Sequence, residues 1–132
     1  MLNKMYNKKI DLITARLLSK KFCKDFDIPN CQIFFVDYLE GGHWGEYINL
    51  IPCHILIVEN HPNRIGVLMH ELTHHLENAN YDNYENSSHG YSYQLAKGRV
   101  VTWCRKNISK KPNWYLPLQG RFDPKEMVKF KL

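Results

Sequence analysis

The feature that most constrains this chain is the pentapeptide at residues 70–74, which reads His-Glu-Leu-Thr-His. Residues four apart lie on one face of a helix, so His70 and His74 can both reach a single metal ion. Apolar residues surround the motif at helical spacing: Ile65, Val67, Leu68, Met69, Leu72 and Leu76. This stripe predicts a buried helix over about residues 64–77 and disfavours two solvent-facing histidines on an ordinary surface helix.

Glu71 follows the first motif histidine and lies beside the same site. A carboxylate there can take a proton from metal-bound water and pass it to a leaving amine. Zinc is the expected ion, because catalytic zinc sites use imidazole nitrogens, take three protein ligands and keep a fourth position for water. A structural zinc normally closes that position with protein. The motif therefore predicts a zinc peptidase in which Glu71 is the catalytic residue.

The third metal ligand separates the subclasses of this motif. Metzincins need Gly three and His six residues after the second histidine, where this chain has Glu77 and Asn80. Thermolysin-like enzymes need a later Glu, but residues 90–122 contain no Asp or Glu, and Glu126 falls in an apparent tail. What remains is His89, followed by Gly-Tyr-Ser-Tyr. The predicted metal ligands are thus His70, His74 and His89.

A HELTH motif, a fourteen-residue gap and His-Gly-x-x-aromatic resemble the pattern of SprT-like metallopeptidases. The resemblance runs from about Ile33 to about Trp103 and takes in the Gly-Gly-His-Trp-Gly segment at residues 41–45. It implies a zincin-like domain with endopeptidase activity, whose substrates include proteins bound or crosslinked to nucleic acid. Tyr93 stands at the position of the family's aromatic residue and should pack under the site. The C-terminal zinc ribbon of some relatives is missing, because the four cysteines include no C-x-x-C pair.

The remaining histidines are weaker candidates. His75 projects about 100° around the helix from the second motif histidine, so it should pack or support the site rather than bind the metal. His54 should be a half-buried strand residue, His43 a loop residue and His61 a residue at the helix start. Asn78, Asp82 and Glu85 are candidates for orienting a ligating imidazole.

The expected architecture is a single α+β domain with a core of about residues 8–108 and an irregular basic tail at 109–132. An amphipathic helix over 8–25 should bury five apolar residues at helical spacing: Ile10, Ile13, Leu17, Leu18 and Phe22. Strands are predicted at 32–38, 46–50 and 54–58 in a small antiparallel sheet. A last helix over 90–107 should turn Leu95, Val100, Val101 and Cys104 inward.

Charge is distributed in three blocks. Residues 1–24 carry seven basic residues and one acid, residues 25–89 carry one basic residue and ten acids, and residues 90–132 carry ten basic residues and two acids. Basic ends with interleaved Trp103, Trp114 and Tyr115 are compatible with DNA binding, single strands being favoured if a tryptophan is exposed for stacking. The alternative is a solvated basic surface with its aromatics in the core.

No apolar run approaches eighteen residues, and seven basic residues interrupt the first 24. We therefore expect no membrane span and no signal peptide, and an intracellular monomer with reduced core thiols. Three functions compete: a SprT-type zinc endopeptidase linked to nucleic acid, a peptidase of the same fold with a dedicated protein substrate, and a binding module whose metal is structural.

Overall fold

A computed structural model describes residues 9–81 and 89–108. Six regular elements occur in these ranges, with a short 3₁₀ turn at Glu40–Gly42 between the first two strands. In chain order they are α1 (Leu12–Phe26), β1 (Gln32–Val36), β2 (Gly45–Ile48), β3 (His54–Val58), α2 (Arg64–Asn80) and α3 (Tyr91–Asn107). The α+β class and the predicted order of elements are confirmed. The predicted tail at 109–132 lies outside the described residues.

The sheet is mixed, so the predicted all-antiparallel sheet is wrong. Its strand order is β1-β3-β2; β1 runs parallel to β3, and β2 runs antiparallel to β3. Strands β2 and β3 are antiparallel, as the short connection between them predicted. Parallel strands need a longer crossover, and residues 37–53, which include β2 itself, provide it. The central strand is therefore β3, with Ile55 and Ile57 fully buried.

Helix α1 packs against β1, but it buries only part of the face that was predicted. Asp11 caps its start by accepting a hydrogen bond from the Thr14 backbone N–H at 2.7 Å. Leu18 and Phe22 are buried as expected, whereas Ile13 and Leu17 are 71% and 62% exposed. Periodicity located the helix correctly but did not distinguish the neighbouring positions at the edge of its apolar stripe.

Helix α2 lies at the centre of the molecule. Its N-cap is Asn63, whose side chain accepts a hydrogen bond from the Gly66 N–H at 3.2 Å. The sheet, α1 and α3 all pack against it, so most of its residues up to Glu77 are buried. Helix α3 buries Val100, Val101 and Cys104 as predicted, but Leu95 is 40% exposed.

None of the helices in the described ranges is long and apolar enough to cross a membrane. The four cysteines, which all fall within these ranges, are free and buried, in agreement with the expected reduced thiols.

Candidate metal centre

Three imidazoles converge where α2 faces the start of α3. His70 and His74 lie one turn apart on α2, and His89 immediately precedes α3. One ligand atom from each lies within 4.8 Å of the others, in an arrangement that could hold a metal ion. Their ring centroids are 5.0–5.1 Å apart in all three pairs. The structure therefore brings together the three residues that the sequence nominated as ligands.

The outer nitrogens of the two helical histidines face polar groups. The hydroxyl of Tyr93 lies 3.0 Å from Nδ1 of His70, and a carboxylate oxygen of Glu77 lies 3.6 Å from Nδ1 of His74. Ser92 in turn donates a hydrogen bond to the other oxygen of Glu77. Partners of this kind fix the orientation and tautomer of ligating histidines. Both Nε2 atoms are thereby left for the centre of the site.

The spacing of the inner nitrogens fits a tetrahedral ion. Nε2 of His89 lies 3.2 Å from Nε2 of His70. Two imidazole nitrogens bound tetrahedrally to one zinc at ~2.0–2.1 Å are separated by ~3.3 Å. Three neutral nitrogen donors also match the ligand chemistry of zinc, copper, iron or nickel rather than that of calcium or magnesium, which prefer oxygen.

Burial keeps the two helical imidazoles neutral, as metal binding requires. It lowers the pKa of His70 to about 2, with further contributions from the neighbouring His74, His89 and Lys97. Burial also lowers the pKa of His74 to about 4, aided by His89. The ligand lone pairs of these two residues are therefore free of protons at neutral pH.

Glu71 lies on the same helix, on the face that packs against strand β2. It is 7% exposed, and the backbone N–H of Tyr47 in β2 hydrogen-bonds to its carboxylate. Burial, reinforced by the carboxylate of Glu46, raises the pKa of Glu71 to about 8. Glu71 does not belong to the group of potential ligands.

A glycine allows β2 to approach this carboxylate closely. A Cβ at Gly45 would lie 2.5 Å from Cγ1 of Val67 and 3.0 Å from Oε2 of Glu71. Real Cβ atoms essentially never show the first distance, and the second is tighter than nine in ten real Cβ contacts. The absence of a side chain at Gly45 is therefore part of how the sheet is fitted against the active face of α2.

The other histidines occupy different environments. His75 is buried and is not in the group of three imidazoles. His54 is half-buried in β3 and stacks on Phe34. His43 is exposed in a loop. His61 is buried before α2, where its Nδ1 accepts a hydrogen bond from the Asn63 N–H at 2.9 Å.

The residues that support the imidazoles were only partly foreseen. Glu77 is not among the residues that the sequence suggested as supports, although its spacing of three from His74 places both on one helix face. Of the residues nominated for this role, Asn78 instead accepts a hydrogen bond from Asn49. Asp82 and Glu85 lie outside the described residues. Tyr93 packs against the imidazoles, its ring centroid 4.7 Å from that of His74 and 4.8 Å from that of His89.

Trp103 is not available for stacking on a nucleic-acid base. It is 7% exposed, its indole N–H donates a hydrogen bond to Asp25 at 2.9 Å, and its ring packs edge-on against Phe22 at 5.2 Å. Trp114 and Tyr115 lie outside the described residues. The aromatic support for DNA binding is therefore absent at Trp103, which belongs to the core.

Comparisons of the chain with protein-family models, curated proteins and solved structures gave no match.

Proposed function

We propose that this protein is a zinc-dependent endopeptidase of the SprT type, with a zincin-like catalytic domain. The observation that carries the proposal is the convergence of His70, His74 and His89, with Glu71 on the same helix but outside the ligand group. This combination favours a catalytic site over a structural one, because three protein ligands leave a position for water.

The donor set gives each residue a distinct role. His70, His74 and His89 would hold an ion through their inner nitrogens, while Tyr93 and Glu77 maintain the orientation of the two helical rings. Zinc bound there would lower the pKa of a water ligand to about 7 and polarise the scissile carbonyl. The positive charge of a bound ion favours the ionised form of a nearby carboxylate, so Glu71 would then accept a proton from the attacking water and return it to the leaving amine.

The position of strand β2 favours a peptide as the substrate. Among the described strands it pairs only with β3. The backbone N–H of Tyr47 points away from β3 toward Glu71, so the free edge of β2 borders the carboxylate. An extended peptide adds readily to such an edge through main-chain hydrogen bonds. Binding along β2 would bring a scissile bond toward the site without requiring a deep side-chain pocket.

The test is Glu71→Gln, which keeps the size of the side chain and removes its basic carboxylate. We expect zinc content to match the wild type, while cleavage of a fluorescently labelled unfolded protein falls by at least ~100-fold. The matched control is Glu59→Gln, an exposed change just after β3 that should leave the activity in place. His74→Ala should lose one equivalent of bound metal together with activity.

Two outcomes would contradict the proposal. If Glu71→Gln cleaves as fast as the wild type, the activity does not use this site. If the wild type binds zinc at the three histidines and cleaves no protein or peptide, the binding-module function is the correct one.

A link to nucleic acid is the remaining part of the proposal, and it rests on charge. Residues 90–132 carry ten basic and two acidic residues, and Arg105 and Lys106 of this block are exposed on α3. We expect weak DNA binding that decreases severalfold when salt is doubled, since cations displaced from phosphates make affinity fall with ionic strength. A salt titration of a labelled oligonucleotide, wild type against Lys110→Glu/Lys111→Glu, measures this. Binding indifferent to the double change would favour the peptidase with a dedicated protein substrate.

A further inference from the structure

We propose that Cys31, Cys53 and His75 form a second metal site, suited to a thiophilic divalent cation such as Zn²⁺. Each of the three offers one ligand atom, and these atoms lie within 4.8 Å of one another. All three residues are buried. The site is separate from the three imidazoles described above and does not depend on the peptidase proposal.

The mixed sheet brings the two thiols together. Cys31 immediately precedes β1 and Cys53 immediately precedes β3, and the parallel register pairs the next residues, Gln32 with His54. The two cysteines are therefore lateral neighbours at the same end of the sheet, where the Gln32 N–H donates to the Cys53 carbonyl at 2.9 Å. An antiparallel arrangement of these strands would have put the thiols at opposite ends.

His75 is oriented as a metal ligand through Nδ1. Its Nε2 lies 2.6 Å from the carbonyl oxygen of Pro29, which can only accept a hydrogen bond, so the ring proton resides on Nε2. Nδ1 then carries the lone pair, and the hydroxyl of Tyr47 lies 3.0 Å from it. Ligating histidines commonly donate their second N–H to a backbone carbonyl in this way.

The distances require only a small adjustment. Sγ of Cys53 lies 4.0 Å from Nδ1 of His75 and 4.0 Å from Nε2. A sulfur and a nitrogen bound tetrahedrally to one zinc, at ~2.3 and ~2.1 Å, are ~3.6 Å apart. A turn of the imidazole that brings Nδ1 closer by ~0.4 Å would place both atoms at bonding distance. The phenol oxygen of Tyr47, 3.0 Å from Nδ1 of His75, is one further donor beside the cluster.

Charge balance favours a divalent ion at this buried position. Two cysteine thiolates with one neutral imidazole would neutralise one divalent cation, and binding would release the two thiol protons to solvent. A neutral cluster avoids the cost of leaving a charge in a buried region.

A surface pocket borders one residue of the cluster. It is lined by Arg16 and Lys20 of α1, by Asn30 and Cys31, and by the first residues of β1. An ion bound beneath it would join the starts of β1 and β3 to α2 at the residue next to His74. The expected consequence is a firmer attachment of α2, and so of the first site, to the sheet.

Cobalt provides the direct test, because Co²⁺ bound to thiolate shows a sulfur-to-metal charge-transfer band that an all-imidazole site lacks. Titration of reduced, metal-free protein with Co²⁺ should develop this band and saturate it at one equivalent. The band should disappear in Cys31→Ser and in Cys53→Ser. It should persist in His74→Ala, which impairs only the three-histidine site.

Cys104→Ser is the matched control, since Cys104 is also a fully buried thiol but lies in α3 outside the cluster. It should retain the full band. Cadmium NMR of the wild type gives a second measurement that needs no substitution: one resonance in the range of sulfur-ligated cadmium is expected. This measurement decides the matter even if the cysteine variants fail to fold.

The proposal is overturned if the reduced wild type gives no charge-transfer band, or if its cadmium spectrum contains only nitrogen-ligated resonances. A band that survives in both Cys31→Ser and Cys53→Ser would overturn it equally. Failure here leaves the peptidase proposal intact, because none of these measurements depends on Glu71 or on proteolysis.

Discussion

Gly45→Ala is the sharpest test of how the sheet is fitted against the active helix. The added Cβ would lie 2.5 Å from Cγ1 of Val67, about 1 Å or more inside the ~3.5–4.0 Å of a normal carbon–carbon contact. Val67 is 3% exposed, so it cannot swing into solvent, and strand β2 or helix α2 must shift. The backbone of Gly45 does not have positive φ, and the penalty is therefore steric.

The magnitude follows from two opposing effects. Overpacking a tight interior costs about 1–3 kcal/mol, while replacing glycine within a strand returns about 0.5–1 kcal/mol of backbone entropy. We expect Gly45→Ala to be destabilised by about 1–2 kcal/mol. The same Cβ would lie 3.0 Å from Oε2 of Glu71. Displacing a catalytic group by about 1 Å can cost ~100-fold in rate. We therefore expect the peptidase rate per folded molecule to fall in addition to the loss of stability.

Urea unfolding measures the first effect, and peptidase rate per folded molecule, with zinc content, measures the second. Gly98→Ala is the matched control: it lies in α3 with nothing within 4 Å of its added Cβ. It should be stabilised by about 0.5–1 kcal/mol with unchanged activity. If Gly45→Ala proves as stable as Gly98→Ala, the close approach of β2 to α2 is incorrect, and the steric argument fails with it.

Two further predictions concern hydrogen bonds. Tyr93→Phe removes the hydroxyl beside the first motif histidine and keeps the ring packing, so we expect zinc affinity, measured by chelator competition, to fall about tenfold; unchanged affinity would contradict the orienting role. Asp25→Ala removes the acceptor of the Trp103 indole, and should lower stability at pH 7 by about 1 kcal/mol. The hydrogen bond from Trp103, followed by that from Lys21, lowers the pKa of Asp25 below its usual 3.8. The extra stability of the wild type over Asp25→Ala should therefore be complete above about pH 5 and should be lost as the pH falls through the lowered pKa of Asp25. A stability difference between the two proteins that stays the same down to pH 2–3 would argue against this explanation.

Local signals in the sequence were enough to locate the elements. The strand predicted at 54–58 has the bounds of β3, and the predicted start of the active helix at residue 64 is that of α2. Hydrophobic periodicity acts over a few residues, and such a signal can be read along the chain. Burial at the margins could not be read this way, as Ile13, Leu17 and Leu95 demonstrate: each continues an apolar stripe yet is exposed.

The sequence by itself also determined which residues were candidates for the metal. A spacing of four on a helix is a local property, and it nominated His70 and His74 without any knowledge of the fold. The choice of His89 came from elimination among known third-ligand spacings and from the family resemblance. The fold then decided that its imidazole lies 3.2 Å from that of His70, since the intervening segment could have led elsewhere.

Only the tertiary structure decided which residues meet across elements. Strand direction depends on the path of the whole connection at 37–53, and the parallel pairing of β1 with β3 is what places Cys31 beside Cys53. Likewise, the contact of Tyr93 with His70 joins two helices. These contacts depend on how helices and strands pack in space, because no local sequence pattern indicates that two distant residues will meet.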